Sequence, residues 1–368
     1  MSASAAHSST FGHWPSGHPR ANGLPLWAMH HKRHLAVTSV TSGNYTNGET
    51  IGTTRGAVSM KKLRFVVSLT THDNDFQMEQ AAAAQQAANR HGVDIDILYA
   101  DNDAIQQSQQ LLQIIQSKGS LPDGIIFEPA GGTGFPQVAR AAAAAGIGWV
   151  VMNREVDYLT DLRRAYKVPI FCISSDHEEI GRIQGKQVAA LLPKGGSVLL
   201  IQGPAESTAA KHRMTGLYDT KPVDVQVKVM KGNWTEAGAY KAVSSWLKLS
   251  TSLQTVLDVV VSQNDAMAIG ARKAFQEIAD PNVRDRFAHL PYIGIDGVRT
   301  TGQEWLRKGL LNATVVVPPN TDLAIQMLTH AVQTGIIPPE KTMTVPKSIP
   351  TIEELAKKPV QRAKSAGA

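Results

Sequence analysis

The stretch Val259–Phe275, VVVSQNDAMAIGARKAF, decides the fold class. It opens on three apolar β-branched residues, Val259, Val260 and Val261. Such a run suits a strand buried on both faces of a parallel sheet. It breaks into Ser262-Gln263-Asn264-Asp265. A helical pattern follows, in which Met267, Ile269 and Ala274 alternate with Arg272, Lys273 and Glu277. Asp265 is the expected N-cap. The polar cluster therefore sits where a parallel strand ends and a helix begins, the edge at which open α/β sheets bind ligands. From position alone, Asn264 and Asp265 either touch a ligand or only cap the helix.

The same βα rhythm runs outward from this stretch in both directions. Upstream, strands are expected at Leu63–Leu69, Asp94–Tyr99, Gly124–Phe127, Gly148–Met152 and Phe171–Ile173. Helices are expected at Phe76–Arg90, Ile105–Ser117, Pro136–Ala145 and Glu178–Leu192, the last ended by Pro193-Lys194-Gly195-Gly196. A second set begins at Ser197–Ile201. It continues through strands at Val225–Val229, Tyr292–Ile295 and Ala313–Val317, with helices near Ser207–Asp219, Thr235–Leu249, Thr301–Lys308 and Asn320–Thr334. Met343–Pro346 reads as a last short strand and Ile352–Ala356 as a short helix. Two successive βαβαβ sets with right-handed crossovers give an α/β protein of two doubly wound parallel-sheet lobes, with ligands expected in the cleft between them.

At 368 residues the chain is long enough for two such lobes plus tails. Its pI of about 9.3 invites a nucleic-acid reading, but the placement of charge argues against one. Residues 1–59 carry a net +3 and residues 356–368 a net +4, against +6 for the whole chain, so residues 60–355 carry about −1. A near-neutral body offers no basic groove for phosphate. Residues 1–59 are rich in Ser, Gly, Thr, Asn and His without lasting periodicity and read as disordered. They lack the pattern of a secretory signal, and Met60-Lys61-Lys62 would make a natural start. His30, His31 and His34 form a loose basic stretch rather than a metal site. No apolar run approaches the ~20 residues needed to span a bilayer.

The common catalytic signatures fail one by one. The first strand runs into Thr70-Thr71-His72-Asp73-Asn74-Asp75 with no glycine, so a dinucleotide fingerprint is absent there. Gly131-Gly132-Thr133-Gly134 lacks the last glycine of that motif and reads as a turn. There is no Walker A sequence, no G-x-S-x-G and no H-E-x-x-H. The single cysteine, Cys172, sits in an apolar strand as a core thiol. His72, Asp73 and Asp75 would equally serve a cation or a turn with a helix cap.

What the strand ends deliver is a set suited to binding. The first strand supplies Asn74 and Phe76, the fourth Asn153 and Arg154, and the first strand of the second lobe Gln202-Gly203, with Lys211 and Arg213 soon after. Then come Trp234, Asn264 and Asp296. Amides, carboxylates and guanidiniums satisfy hydroxyls that both donate and accept, and charge strengthens each bond. A flat aromatic such as Trp234 or Phe76 suits the apolar face of a sugar ring. Each also has an ordinary reading: Trp234 as a core residue at a helix entry, Arg154 in a surface ion pair, Asp296-Gly297 as a turn, Lys211 as an exposed helix lysine. No nucleophile-and-base pair stands out.

These residues carry a family resemblance over roughly residues 62–355. The body resembles a ribose-type periplasmic sugar-binding protein of ABC transporters, a fold shared with the effector domains of LacI-type repressors. Ser262–Gly270 is similar to the family's QNDxMAxGA signature, and Asp176–Gly185 to its D-x-x-x-x-G-x-x-x-G helix. Gln202-Gly203 with Lys211–Gly216 resembles its QG…AxxRxxG segment, and Ile293–Gly297 its V-G-F-D-G. The resemblance implies a substrate-binding component that holds a monosaccharide or polyol and, when closed, meets an ABC permease. It implies periplasmic location, no cofactor and no metal, and a monomer is expected. It places sugar contacts at Asn74, Phe76, Asn153, Arg154, Lys211, Trp234, Asn264 and Asp296. Asp265 is left to cap the helix.

The resemblance also implies a three-crossing hinge near residues 173–175, 317–319 and 344–346. Residues 60–173 and 318–344 would then form lobe 1, residues 174–317 and 345–356 lobe 2, and residues 357–368 a basic tail. Asn153 stands where the family often has Asp, Lys211 where Arg is frequent, and Val317 where Gln often meets the sugar, so the sugar is left open. Alternatives are the sensing core of a LacI-like regulator, a cytoplasmic sugar sensor, and an enzyme acting on sugars. The first would need a helix-turn-helix ahead of residue 62, which residues 1–59 do not supply.

Overall fold

A computed structural model describes residues 62–130 and 134–357. The readings of residues 1–59, of Gly131–Thr133 and of the tail beyond Lys357 lie outside the described residues. Within them the chain runs β1 (Arg64–Leu69), α1 (Asp75–His91), β2 (Asp94–Tyr99), α2 (Ala104–Ile115), β3 (Gly124–Phe127), α3 (Pro136–Ala144), β4 (Gly148–Met152), α4 (Leu159–Ala165) and β5 (Ile170–Ser175). It continues α5 (His177–Leu191), β6 (Gly196–Gln202), α6 (Thr208–Thr220), β7 (Val225–Lys231), α7 (Glu236–Leu247), β8 (Val259–Ser262), α8 (Asp265–Gln276), α9 (Pro281–Ala288) and β9 (Tyr292–Asp296). It ends α10 (Gly302–Arg307), β10 (Ala313–Val316), α11 (Asn320–Thr334), β11 (Lys341–Thr344), β12 (Lys347–Ile349) and α12 (Ile352–Ala356).

Two six-stranded sheets result, in the orders β11-β5-β4-β3-β1-β2 and β12-β10-β9-β8-β6-β7. Every pairing is parallel except β10 with β12. The central strands are buried along their whole length, as parallel strands covered on both faces must be. Alternation sorts their side chains to the two faces. In β1, Phe65, Val67 and Leu69 pack with α1 and α11 on one side, while Val66 joins Phe127 and Trp149 on the other. Cys172 lies in that second layer, where burial pushes its thiol up to about 12. The chain passes between the sheets three times, from Ser175 to His177, from Val316 to Asn320 and from Thr344 to Lys347.

Three local readings are corrected. The strand expected at Met343–Pro346 is two strands, β11 in one sheet and β12 in the other. Pro346 has no N–H to continue a ladder, so the chain changes sheets there. Helices α4 and α9 were not expected. The first has only Leu159 and Leu162 to mark a face, and α9 buries Phe287 alone and starts from Pro281 after an Asp280 cap. Both are too short or too polar to show a helical period.

The helix with the D-x-x-x-x-G-x-x-x-G pattern is α5, and its glycines have a packing reason. A Cβ on Gly181 would overlap the Arg213 carbonyl of α6, and one on Gly216 would overlap the Glu178 carbonyl of α5. Only a backbone without side chains on both helices lets them approach this closely. That approach carries Arg213 inward, toward the carboxyl ends of the second sheet.

Candidate ligand cavity between the lobes

The carboxyl ends of both sheets face one cavity. The first lobe lines it with Asn74, Phe76, Gln77, Asn102, Glu128, Asn153 and Arg154, and the second with His177, Arg213, Trp234, Asn264 and Asp296. Of the eight residues expected to bind, seven line this cavity. Lys211 does not: it is exposed on α6, and Arg213, two residues on, turns in instead. The α5–α6 contact explains the difference, because the face of α6 that carries Arg213 and Gly216 is the one held against α5. Arg213 is also the arginine of the A-x-x-R-x-x-G pattern, starting from Ala210.

The helix cap assigned to Asp265 belongs to Asn264. Asn264 Oδ1 accepts from the Met267 amide at 2.9 Å, and its Nδ2 donates to the Trp234 carbonyl at 2.8 Å. Asp265 is the first helical residue and is buried. Its carboxylate accepts from the Gly297 amide at 2.8 Å and from the Thr314 hydroxyl at 2.7 Å. It thus ties the start of α8 to the loop that holds Asp296. Burial raises its own carboxyl well above the ordinary range. Asn74 repeats the pattern in the first lobe. Its Oδ1 caps α1 through Gln77, and its Nδ2 donates to the same Trp234 carbonyl at 3.0 Å. One carbonyl is therefore gripped by an amide from each lobe. Phe76, the next residue expected to touch a ligand, packs against the cluster of Ile180, Ile183, Ile295, Val315 and Val317 of the second lobe.

Glu128 is among the lining residues that the sequence reading missed. It is buried directly after β3, where its carboxylate takes Gln77 Nε2 at 2.9 Å, Asn153 Nδ2 at 3.0 Å and Arg154 at 3.3 Å. Its position at a strand end was signal enough, since the same rule picked the others. Asn153 links the cavity to the passages between the sheets. Its Oδ1 accepts from Asn320, just past the second passage. Thr344, at the third, bonds Asn320 at 3.1 Å and Ser175, at the first, at 3.3 Å.

In the second lobe, Arg213 is buried and donates to the Gln263 carbonyl. Its guanidinium lies 5.4 Å from the Trp234 ring and 3.9 Å from Asp296 Oδ1. The last distance is too long for a hydrogen bond and leaves room for a bridging hydroxyl. The Trp234 ring lies over Gly203, where any Cβ would strike it, which accounts for the glycine of Gln202-Gly203. Burial pushes Asp296 up to about 7, opposed by Arg213 and reinforced by Asp75 and Glu128. Among the described residues six non-glycines have positive φ, and four of them, Asn102, Asn153, Trp234 and Asp296, line the cavity. Backbone strain concentrated at one place is characteristic of functional sites.

Comparison with known proteins identifies the family. The model of the periplasmic binding protein domain matches residues 65–335. The chain belongs to the periplasmic binding protein domain family. It is 26% identical over 292 residues to a D-apiose import binding protein of Paraburkholderia graminis, covering 78% of this chain and 83% of that one. It is 28% identical over 194 residues to a putative rhizopine-binding protein of Rhizobium meliloti, covering 50% of this chain and 58% of the relative. In fold it is similar to an ABC transporter periplasmic solute-binding protein of Actinobacillus succinogenes solved with D-allose. The TM-score is 0.68 at 19% identity, over 81% of this chain and all of the other. These relatives are binding proteins, and the family is named for the periplasm.

Proposed function

We propose that this chain is the substrate-binding component of a carbohydrate ABC importer and holds a monosaccharide or polyol between its lobes. The observation that carries the reading is the balance of the cavity lining. Two guanidiniums, Arg154 and Arg213, face two carboxylates, Glu128 and Asp296, among neutral amides and beside Trp234 and Phe76. Such a lining matches a neutral polyhydroxylated ligand better than an acid or an amine. Residues from both lobes would touch the ligand, so binding favours the closed arrangement, which a permease would then recognise. The Asn153–Asn320–Thr344–Ser175 network lies on the path from ligand to hinge. Periplasmic location, a monomeric state and the absence of catalysis belong to the same proposal. The last rests on a cavity in which, among the described residues, no nucleophile is paired with a base.

Calorimetry and thermal shift against a panel of pentoses, hexoses, inositols and linear polyols test it. Saturable binding with a raised Tm is expected; no stabilisation by any panel member at millimolar concentration would overturn it. A pH dependence should accompany binding. Asp296 in the free protein titrates near 7 because burial disfavours its charge. A ligand hydroxyl donating to the carboxylate favours the ionised form, so binding releases a proton and weakens as pH falls. Affinity should drop by up to about tenfold from pH 8 to pH 6. Asp296→Asn should bind more weakly and without that slope.

A further inference from the structure

His177 is the first residue of α5, immediately after the first passage between the sheets. It borders the cavity on one side. On the other it borders a second hollow, next to Glu155, His212 and Lys341. The residue is 8% exposed, and neither Nδ1 nor Nε2 has a hydrogen-bond partner. The Asn153 backbone lies beside the ring, outside hydrogen-bond geometry. Its neighbours are differently placed: Gln77, Glu128, Asn153 and Asn264 all have partners within the protein. A buried polar group left unmet is costly, and native proteins keep few of them.

The surroundings narrow the explanation. Burial, reinforced by the charges of Arg213 and Arg154, holds the imidazole well below its ordinary value, and therefore neutral. A neutral imidazole offers one donor and one acceptor, the same pairing that a hydroxyl offers. The two guanidiniums can only donate. The Glu128 carboxylate already accepts from Gln77 and Asn153 and pairs with Arg154, and it can only accept.

We infer that His177 is a direct ligand contact that sets specificity, its imidazole exchanging a hydrogen bond with a ligand hydroxyl beside the β5–α5 passage. This rests on the sugar-binding reading above. The test compares wild type, His177→Asn and His177→Leu against the same panel by calorimetry, with thermal unfolding of each ligand-free protein. The Asn variant keeps a donor and an acceptor and should bind within about tenfold of wild type, with a changed order of preference among panel members. The Leu variant should lose more than about tenfold in affinity, while its ligand-free Tm holds or rises because two unmet nitrogens are gone. A Leu variant with wild-type affinity and preference overturns the inference and leaves the sugar reading standing. So does one whose ligand-free Tm falls sharply while its affinity is unchanged, since that marks a purely structural histidine. A wild type that binds nothing in the panel overturns both.

Discussion

Arg213→Met should lower ligand affinity by at least about 100-fold, a loss of about 2.7 kcal/mol, and still give a folded protein. Among the described residues the guanidinium is the one cation of the second lobe that lines the cavity. It is fixed by the Gln263 carbonyl on one side and the Trp234 ring on the other. A hydroxyl in the gap between Arg213 and Asp296 would accept from one and donate to the other, and both bonds are charge-assisted. Methionine fills much of the volume and supplies neither donor nor charge. Removing one member of a buried ion pair ordinarily costs ~3–5 kcal/mol. The loss should be smaller here, because the partner has an escape: Asp296 already titrates near 7 and can take up a proton instead of remaining as a bare charge. Arg213 holds that carboxyl down, so in the variant it rises further and stays neutral at pH 7. A Tm lowered by a few degrees with affinity almost abolished is the expected pair of results. Arg213→Lys should not restore binding, since an ammonium lacks the planar fork and the ring stack. An Arg213→Met variant that binds within about threefold of wild type would remove Arg213 from the site.

The strand-to-helix edges were legible because one rule, polar residues just past an apolar run, finds them without knowledge of contacts. It found Asn74, Asn153, Trp234, Asn264 and Asp296, all of which the structure gathers on one cavity. The same rule applied to Ile125-Ile126-Phe127 would have found Glu128. What it does not reach is the direction of a side chain on a helix. Lys211 and Arg213 differ by two residues, about 200° around a helix axis. Only the glycine contact between α5 and α6 decides which of them faces inward. The Asn264 and Asp265 roles were exchanged for a related reason. Both residue types cap helices, and the choice depends on Gly297 and Thr314, 32 and 49 residues further along the chain, which hold Asp265. His177 is another such case, since nothing in a sequence reveals that a histidine lacks partners.

Trp234→Ala should cost about 100-fold in affinity and little in stability, and the reason separates two jobs that one residue performs. The side chain stands over Gly203 beside Arg213 and gives the cavity its aromatic wall on the second-lobe side. The backbone carbonyl accepts Nδ2 of Asn74 from one lobe and Nδ2 of Asn264 from the other. Alanine keeps the carbonyl and deletes the ring, so it tests the wall alone. The half-buried ring leaves a gap open to solvent rather than a sealed void, so the cavity penalty of a core truncation does not apply in full. The left-handed backbone at this position, φ 67°, is as unfavourable for alanine as for tryptophan, so the exchange relieves no strain. Trp234→Phe keeps a flat apolar face and should remain within about tenfold of wild type. Asn74→Ala probes the other job. It removes the first lobe's grip on the carbonyl along with the α1 cap, so it should lower affinity and the ligand-free Tm together. If Trp234→Ala binds as well as wild type while Asn74→Ala does not, the ring is ordinary packing and residue 234 serves the ligand only through its backbone. A loss in Trp234→Ala that Trp234→Phe recovers assigns the ring to the sugar face.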